Sequence, residues 1–435
     1  MKIKTRFAPS PTGVLHIGGV RTALYAYLVA KKAGGVFSLR IEDTDRARFV
    51  EGATEDIIKT LKWLGLTFDG EPIYQSRRVD LYKEQVEKLV DCGKAYEKDG
   101  AVWFKVQLSG KTSIVDLAGG RKIEFENSTQ KDFVILKSDG YPTYHLAHVV
   151  DDHLMETNPV IRGAEWISSV PKHIQLFEAF GWEIPQYAHL PIILGTDRSK
   201  LSKRHGAKPA SEFREDGFLA EAILNYMALL GWTPPSGKEI LTLSEMVKEF
   251  DLSDVNSANP IFDITKLEWM NGEYIRKSQI SNLKSQILEY LKDLAGGVMP
   301  DHPTEEELEK VAPLVKDRIK KLSDFIPLTD FLWEKVEYDK EIFNRLKIDD
   351  LRLKMEKVLK KMGDMEKPWK ADMFEKTFRG LADEMGVKAG DMFQLIRVAI
   401  SGQTVTPPLF ESIEIIGEEE IVKRIKAAIE FLQTT

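Results

Sequence analysis

Residues 2–41 read KIKTRFAPSPTGVLHIGGVRTALYAYLVAKKAGGVFSLRI, and the order of patterns inside this stretch decides the fold. Lys2 to Ala8 fits a short strand, and Pro9-Ser10-Pro11-Thr12-Gly13 is a dense run of turn formers. From Gly18 to Lys32 the apolar positions Val20, Ala23, Leu24, Tyr27 and Leu28 recur at helical spacing, and Gly34-Gly35 supplies a stop. Val36 to Ile41 is a second β-rich run, and Ala53 to Leu64 a second amphipathic helix with Ile57, Ile58, Leu61 and Leu64 on one side. Strand, helix, strand, helix in this order implies a parallel sheet of the doubly wound, Rossmann-like kind.

Working outward, the character changes around Ala101 to Ile135. Val102 to Val106, Lys122 to Phe125 and Phe133 to Leu136 read as strands between Gly- and Asp-containing turns, as in a small insertion into the first domain. Alternation resumes near Tyr144 and runs through the strand-like Pro191 to Leu194. Beyond about Ser211 helical periodicity dominates: Leu219 to Leu230, Leu243 to Phe250, Ile280 to Leu294, Glu305 to Leu322, Val358 to Met362 and Ile421 to Leu432. Pro234-Pro235 and Pro407-Pro408 mark breaks. The expected fold class is therefore α/β, a parallel-sheet domain with a small inserted domain, followed by an all-α C-terminal half.

Composition bounds the function. A chain of 435 residues exceeds one ordinary core, so two to four packed units are expected. A 43 % hydrophobic, 30 % charged content fits a globular protein. There is no signal-peptide-like start and no apolar run of the roughly 20 residues that cross a bilayer. With Cys92 as its single cysteine the chain can form no internal disulfide and no cysteine zinc site, which points to a reducing, cytoplasmic setting. The formal charge of −7 argues weakly against a nucleic-acid partner, although a local basic surface can still bind phosphates.

Two loops carry chemistry. His16-Ile17-Gly18-Gly19, set between a turn and a helix start, lets backbone N–H groups approach an anion and places an imidazole beside it. A turn with a surface histidine is the plainer alternative. The dinucleotide fingerprint of three spaced glycines is absent, which disfavours a dehydrogenase. Asp197-Arg198-Ser199-Lys200-Leu201-Ser202-Lys203-Arg204 follows the apolar run at Leu194 and concentrates four cations, enough to clamp a triphosphate; a solvated charged loop is the alternative.

Together these loops resemble the "HIGH" and "KMSKS" signatures of class I aminoacyl-tRNA synthetases. Arg6 to Gly13, Arg40 to Asp45, Asp139 to Leu146, Val160 to Gly163 and Trp269 to Gly272 resemble, in order, the bacterial-type glutamyl-tRNA synthetase family. The resemblance implies ATP-dependent ligation of L-glutamate to tRNA through glutamyl-adenylate. It assigns His16, Lys200 and Lys203 to catalysis. Arg6 and Arg162 would grip the side-chain carboxylate with Tyr144, while Ala8, Ser10, Glu42 and His148 would complete the glutamate pocket. His16, Gly18, Gly19, Glu165, Trp166, Ile193, Leu194, Ser202 and Lys203 would hold ATP, with Mg²⁺ accompanying it. Unpaired arginines in a desolvated site would reject isosteric, neutral glutamine.

The implied organisation is a catalytic domain at 1–94 and 143–200, split by an acceptor-end-binding insertion at 95–142. A second-loop and helical stem-contact domain follows at 201–279, then helical anticodon-binding parts at 280–359 and 360–435. Lys316, Arg318 and Arg397 are candidate anticodon contacts. Expected partners are glutamate-accepting tRNA, with glutamine-accepting tRNA left open, glutamate and ATP; no membrane is expected, and the chain is expected to be a monomer.

Some features depart from the family pattern. Ala164 stands where relatives usually carry an acid, and the insertion is short and lacks paired cysteines. Cys92 is expected to be a small buried hydrophobe, and no structural zinc or other metal site is expected. His145, His148, Asp151, Asp152 and His153 could suggest a metal hydrolase. Two further rivals remain: a relative that modifies a tRNA base with glutamate, and a small-molecule adenylyltransferase. A scaffold that only binds RNA is disfavoured by the presence of His16, Lys203, Arg6 and Glu42.

Overall fold

The computed structural model describes residues 2–201, 208–296, 301–346 and 348–434. Two compact units, residues 1–270 and 271–435, divide the chain.

The first unit opens with β1 (Lys4–Phe7), α1 (Ile17–Lys32), β2 (Val36–Ile41), α2 (Ala53–Trp63), β3 (Ile73–Tyr74) and α3 (Val79–Asp91). β1 pairs in parallel with β2, Arg6 opposite Ser38, and β2 with β3. After the insertion come α4 (Tyr144–Leu154), β9 (Val160–Gly163), α5 (Val170–Phe180) and β10 (Tyr187–Leu190), with β9 and β10 parallel and Arg162 opposite His189. β1 and β9 lie side by side, joined by a 2.8 Å bond from Asn158 N to Lys4 O. Chain order therefore reverses at β1, and such a switch point leaves a crevice at the strands' carboxyl ends. α1 fills the sheet face with Val20, Ala23, Leu24, Tyr25 and Leu28, all buried; each large apolar side chain among them contributes roughly 1.5–3 kcal/mol.

The insertion comprises β4 (Ala95–Lys98), β5 (Ala101–Phe104), β6 (Lys111–Val115), β7 (Lys122–Glu126) and β8 (Phe133–Leu136). β4-β5-β8 form one antiparallel sheet and β6-β7 a hairpin. Asp116, just past β6, pairs with Tyr187, and Leu117 N donates to Tyr187 O at 2.8 Å, so the insertion extends the β9–β10 edge. The unit continues through α6 (Ala210–Glu215), α7 (Ala220–Leu229), α8 (Leu243–Glu249) and the start of α9 (Ile264–Lys277).

The second unit is helical: α10 (Ile280–Leu294), α11 (Glu305–Val315), α12 (Phe325–Thr329), α13 (Lys340–Asn344), α14 (Leu351–Gly363), α15 (Ala371–Glu384), α16 (Ala389–Ser401), α17 (Leu409–Ile416) and α18 (Glu418–Thr434). Its core joins Met355, Val358, Phe374, Phe378, Leu395, Ile396, Ile425 and neighbouring apolar residues. Among the described residues no helix is long and apolar enough to cross a membrane.

Three expectations are corrected. The strand near Pro191 is Tyr187–Leu190; Pro191 has no N–H to extend a ladder, and beyond it Leu194 bonds to Pro260 while Ile193 accepts from Leu201 N. The helix expected to reach Leu322 stops at Val315, two residues after an interior Pro313. Cys92 is exposed, because it caps α3 beyond the buried face of Tyr82, Val86 and Leu89.

Candidate active site

The first loop places His16 at the N-cap of α1, with no side-chain cap bond and its carbonyl accepting from Gly19 N and Val20 N. That helix end, where the first backbone N–H groups have no intrahelical partner, borders a cavity of about 520 Å³. His16, Gly18, Gly19, Arg21 and Thr22 line one side of it, and Gly163, Glu165, Pro191, Ile192, Ile193, Lys200 and Leu201 line others. Among the described residues, a Cβ on Gly18 would meet no atom within 4 Å beyond its chain neighbours and its own helix backbone, so packing against them does not require glycine there. Gly163 differs: a Cβ would lie 2.1 Å from Glu165 Oε2, so the Glu165 side chain needs the missing atom.

Pro209 and Ala210, beyond the second loop, lie beside the first. Leu15 O accepts from Ala210 N at 2.7 Å, and His16 pairs with Pro209. Lys200 therefore reaches the cavity and the chain re-enters next to His16; Ser202 and Lys203 lie outside the described residues. Leu194 and Trp166 are not among the cavity's lining residues. Arg21, which sequence reasoning passed over, holds the carbonyls of Pro191 and Leu230 and so ties the cavity's wall to α1. Its signal was a charge inside an otherwise apolar helical face.

At the switch point stands a buried charge cluster. Arg6, on β1, bonds Asp152 with Nε at 2.9 Å and Nη2 at 3.1 Å, and its Nη1 donates to Ile161 O. Arg40, on β2, donates to Asp152 at 2.6 Å and to Glu42 at 2.9 Å. Asp151 takes Arg78, Gln75 and Tyr82. Asp152, desolvated but outweighed by Arg40 and Arg6, is held down at about 2. Burial raises Glu42 against the pull of Arg40 and Arg6, so an ammonium group beside it would favour its ionised form.

Four guanidinium groups, on Arg6, Arg40, Arg78 and Arg162, thus face three carboxylates. Among the described residues Arg162 has no carboxylate within 4.0 Å; its Nε donates to His189 Nε2 at 3.1 Å. Its Nη1 meets His173 Nδ1 at 3.0 Å, His148 Nε2 at 3.3 Å and the Tyr144 hydroxyl at 3.4 Å, and its Nη2 donates to Trp166 O. Of the two arginines expected to grip a carboxylate, Arg6 is paired with Asp152, because a lone buried guanidinium costs several kcal/mol, whereas Arg162 meets histidines, a hydroxyl and a carbonyl.

Neutral histidines frame that charge. Burial, then the neighbouring cations, lowers His148 and His173 well below the usual range and His145 to about 4. Tyr144 stacks on His148 and lies tilted against Trp166, and burial pushes its hydroxyl up to about 12, so it remains a donor. The cluster continues into the cavity, since Gly163 and Glu165 follow Arg162 directly. Ala8 is half-buried beyond β1, while Ser10 is exposed with its carbonyl accepting from Thr12 N. The residues of the metal-hydrolase rival are spent on these bonds, and His153 instead stacks on Trp182 at 3.9 Å. Among the described residues no group of three His, Cys, Asp or Glu is arranged to hold a metal ion.

In the second unit Arg397 donates to Thr406 Oγ1 and Gln394, and burial followed by the charge of Arg318 lowers its pKa. Arg318 is exposed and Lys316 half-buried. Lys361, Lys367 and Lys370 each pair with a glutamate, Glu384, Glu418 and Glu414 respectively.

Comparison with known proteins matches residues 2–102 and 97–269 to "tRNA synthetases class I (E and Q), catalytic domain", and residues 283–429 to "Anticodon binding domain". A glutamate–tRNA ligase of Dehalococcoides mccartyi is 40 % identical over 98 % of both chains. One from Treponema denticola is 39 % identical over 99 % of both. The crystal structure of a glutamate tRNA ligase from Elizabethkingia meningosepticum, in complex with its amino acid, superposes with a TM-score of 0.87 at 32 % identity, covering 99 % of this chain and all of that one.

Proposed function

The chain belongs to the tRNA synthetases of class I (E and Q), and from that premise we propose that it is a glutamate–tRNA ligase. The observation that carries the glutamate reading is Arg162, the one guanidinium of the buried cluster without a carboxylate among the described residues, adjoining the cavity at the α1 N-terminus. Glutamate's side-chain carboxylate supplies the direct anionic partner that Arg162 lacks among the described residues. Arg162 with Tyr144 takes the side-chain carboxylate, Glu42 and Ser10 take the ammonium, and Arg6, locked on Asp152, forms the rigid floor. Ala8 and His148 complete the walls.

ATP occupies the neighbouring cavity as substrate, with its phosphates toward Gly18, Gly19 and the α1 N-terminus and with Glu165 and Ile193 beside the nucleoside, while Trp166 and Leu194, next to them in the chain, stand outside the cavity's lining. Mg²⁺ accompanies the nucleotide and supplies additional positive charge to its phosphates. An α-carboxylate oxygen of glutamate attacks the α-phosphorus in line and pyrophosphate leaves, its developing charge met by His16, Lys200 and Lys203. A hydroxyl of the terminal tRNA ribose then attacks the carbonyl of the mixed anhydride, and AMP leaves. The second unit supplies the anticodon contacts, with Lys316, Arg318 and Arg397 as candidates, and the enzyme acts as a cytoplasmic monomer. That unit disfavours a relative that modifies a tRNA base, and also an adenylyltransferase acting without RNA.

The test is ATP–pyrophosphate exchange with tRNA present, glutamate against glutamine. Glutamate should drive exchange at least about a hundredfold faster than glutamine, since glutamine leaves Arg162 uncompensated. Lys203→Ala should cripple the reaction in a folded protein. Equal exchange with both amino acids would overturn the reading.

A further inference from the structure

We propose that Asp116 and His189 are positioning residues for the substrate's side-chain carboxylate, with Asp116 holding His189 in the tautomer that accepts the Nε–H of Arg162 and so aiming that guanidinium. The inference rests on the glutamate reading of Arg162. It assigns to the insertion a part in the amino-acid pocket, through a side chain that does not touch the substrate.

The parallel register of β9 and β10 sets Arg162 opposite His189, and the insertion's edge pairing brings Asp116 alongside. Asp116 Oδ2 lies 2.6 Å from His189 Nδ1, and its Oδ1 accepts both His189 N and Ala118 N at 3.0 Å. Both side chains are essentially inaccessible. An ionised carboxylate can only accept, so Nδ1 carries the proton and Nε2 presents a lone pair to Arg162 Nε at 3.1 Å. The alternative tautomer would point N–H at N–H. The groups facing His189 are Asp116, the Arg162 guanidinium, the more distant Arg121 charge and the stacked Tyr187 ring; burial and Arg162 together keep the imidazole neutral.

A sharp consequence concerns Asp116→Asn. The two backbone N–H groups at Oδ1 require the amide oxygen there, which turns the amide NH₂ toward His189 Nδ1. His189 must then accept at Nδ1 and present Nε2–H to Arg162. One atom's change thus rotates or displaces the substrate-facing arginine while leaving the nucleotide cavity intact. His189→Gln can still offer its oxygen to Arg162 and its NH₂ to Asp116, whereas His189→Leu can do neither.

The experiment is steady-state charging at saturating tRNA with the full chain. Asp116→Asn should raise the KM for glutamate about ten- to hundredfold while the KM for ATP stays within about twofold. His189→Gln should stay near wild type and His189→Leu should match Asp116→Asn. No change in glutamate KM, or equal rises for glutamate and ATP, would overturn the proposal. Should Asp116→Asn fail to fold, equal glutamate KM values for His189→Gln and His189→Leu would overturn it as well. Arg162→Ala separates the levels. If it raises the glutamate KM and Asp116→Asn does not, the positioning role is wrong; if it leaves that KM unchanged, the glutamate reading beneath it falls.

Discussion

Gly18 shows how a single residue can separate packing from function. A methyl group added there would meet none of the described residues within 4 Å beyond its chain neighbours and its own helix backbone, so Gly18→Ala should leave the melting temperature within a few degrees, yet intrude on the space beside the α1 N-terminus. The expected result is a KM for ATP raised about tenfold with that for glutamate little changed; an unaltered ATP KM would mean the phosphates lie elsewhere. Gly35 is the contrast, since a Cβ there would fall 2.1 Å from Ile3 O, and its alanine variant should be destabilised. Arg162→Ala belongs at this scale too. It should raise the glutamate requirement about a hundredfold or more and the ATP requirement far less, because truncating one partner of a buried charged contact costs several kcal/mol; equal effects on both would count against the assignment.

At the scale of elements, α4 and α5 hold three histidines in the neutral form: His145 Nδ1 meets His173 Nε2 at 3.0 Å, and His173 and His148 face Arg162. Their folded pKa values lie below the unfolded value near 6.5, so the unfolded chain binds more protons on acidification. Their stabilising contribution is present above about pH 6.5 and is lost as pH falls below it, through about 4 for His145; that of Asp152 is present above about 4 and is lost as pH falls through about 2. Urea midpoints should therefore decline from pH 7 to 5, less steeply in His145→Gln, and a flat wild-type profile would contradict the buried neutral cluster. Arg6, Glu42, Tyr144 and Arg162 were legible from the sequence as members of motifs, and Val36–Ile41 from its β-rich run. Asp116, His189 and His173 were not, because their partners come from strands and helices distant in sequence and only the β9–β10 register brings them together. Arg40 left a trace, as a charge inside an apolar strand that had to be paired. The helix beyond Val315 was misread because spacing alone carries no account of Pro313.

For the whole molecule, the two compact units imply separable duties. A chain truncated after Lys277 should keep the parallel sheet, judged by circular dichroism and a cooperative melt, while charging of tRNA falls at least about tenfold; full charging by the fragment would refute anticodon binding by the helical unit. The net charge of −7 had argued against a nucleic-acid partner, and it did so because a sum over 435 residues hides where cations cluster. This chain joins glutamate to tRNA, and the identity of the aminoacyl group on the 3′-terminal adenosine reports that directly. Purified glutamate-accepting tRNA, incubated with the enzyme, ATP and an equimolar mixture of glutamate and glutamine, should carry glutamate alone when that nucleoside is analysed by mass spectrometry. Glutaminyl-adenosine, or an uncharged end with glutamate attached to an internal base, would contradict the account.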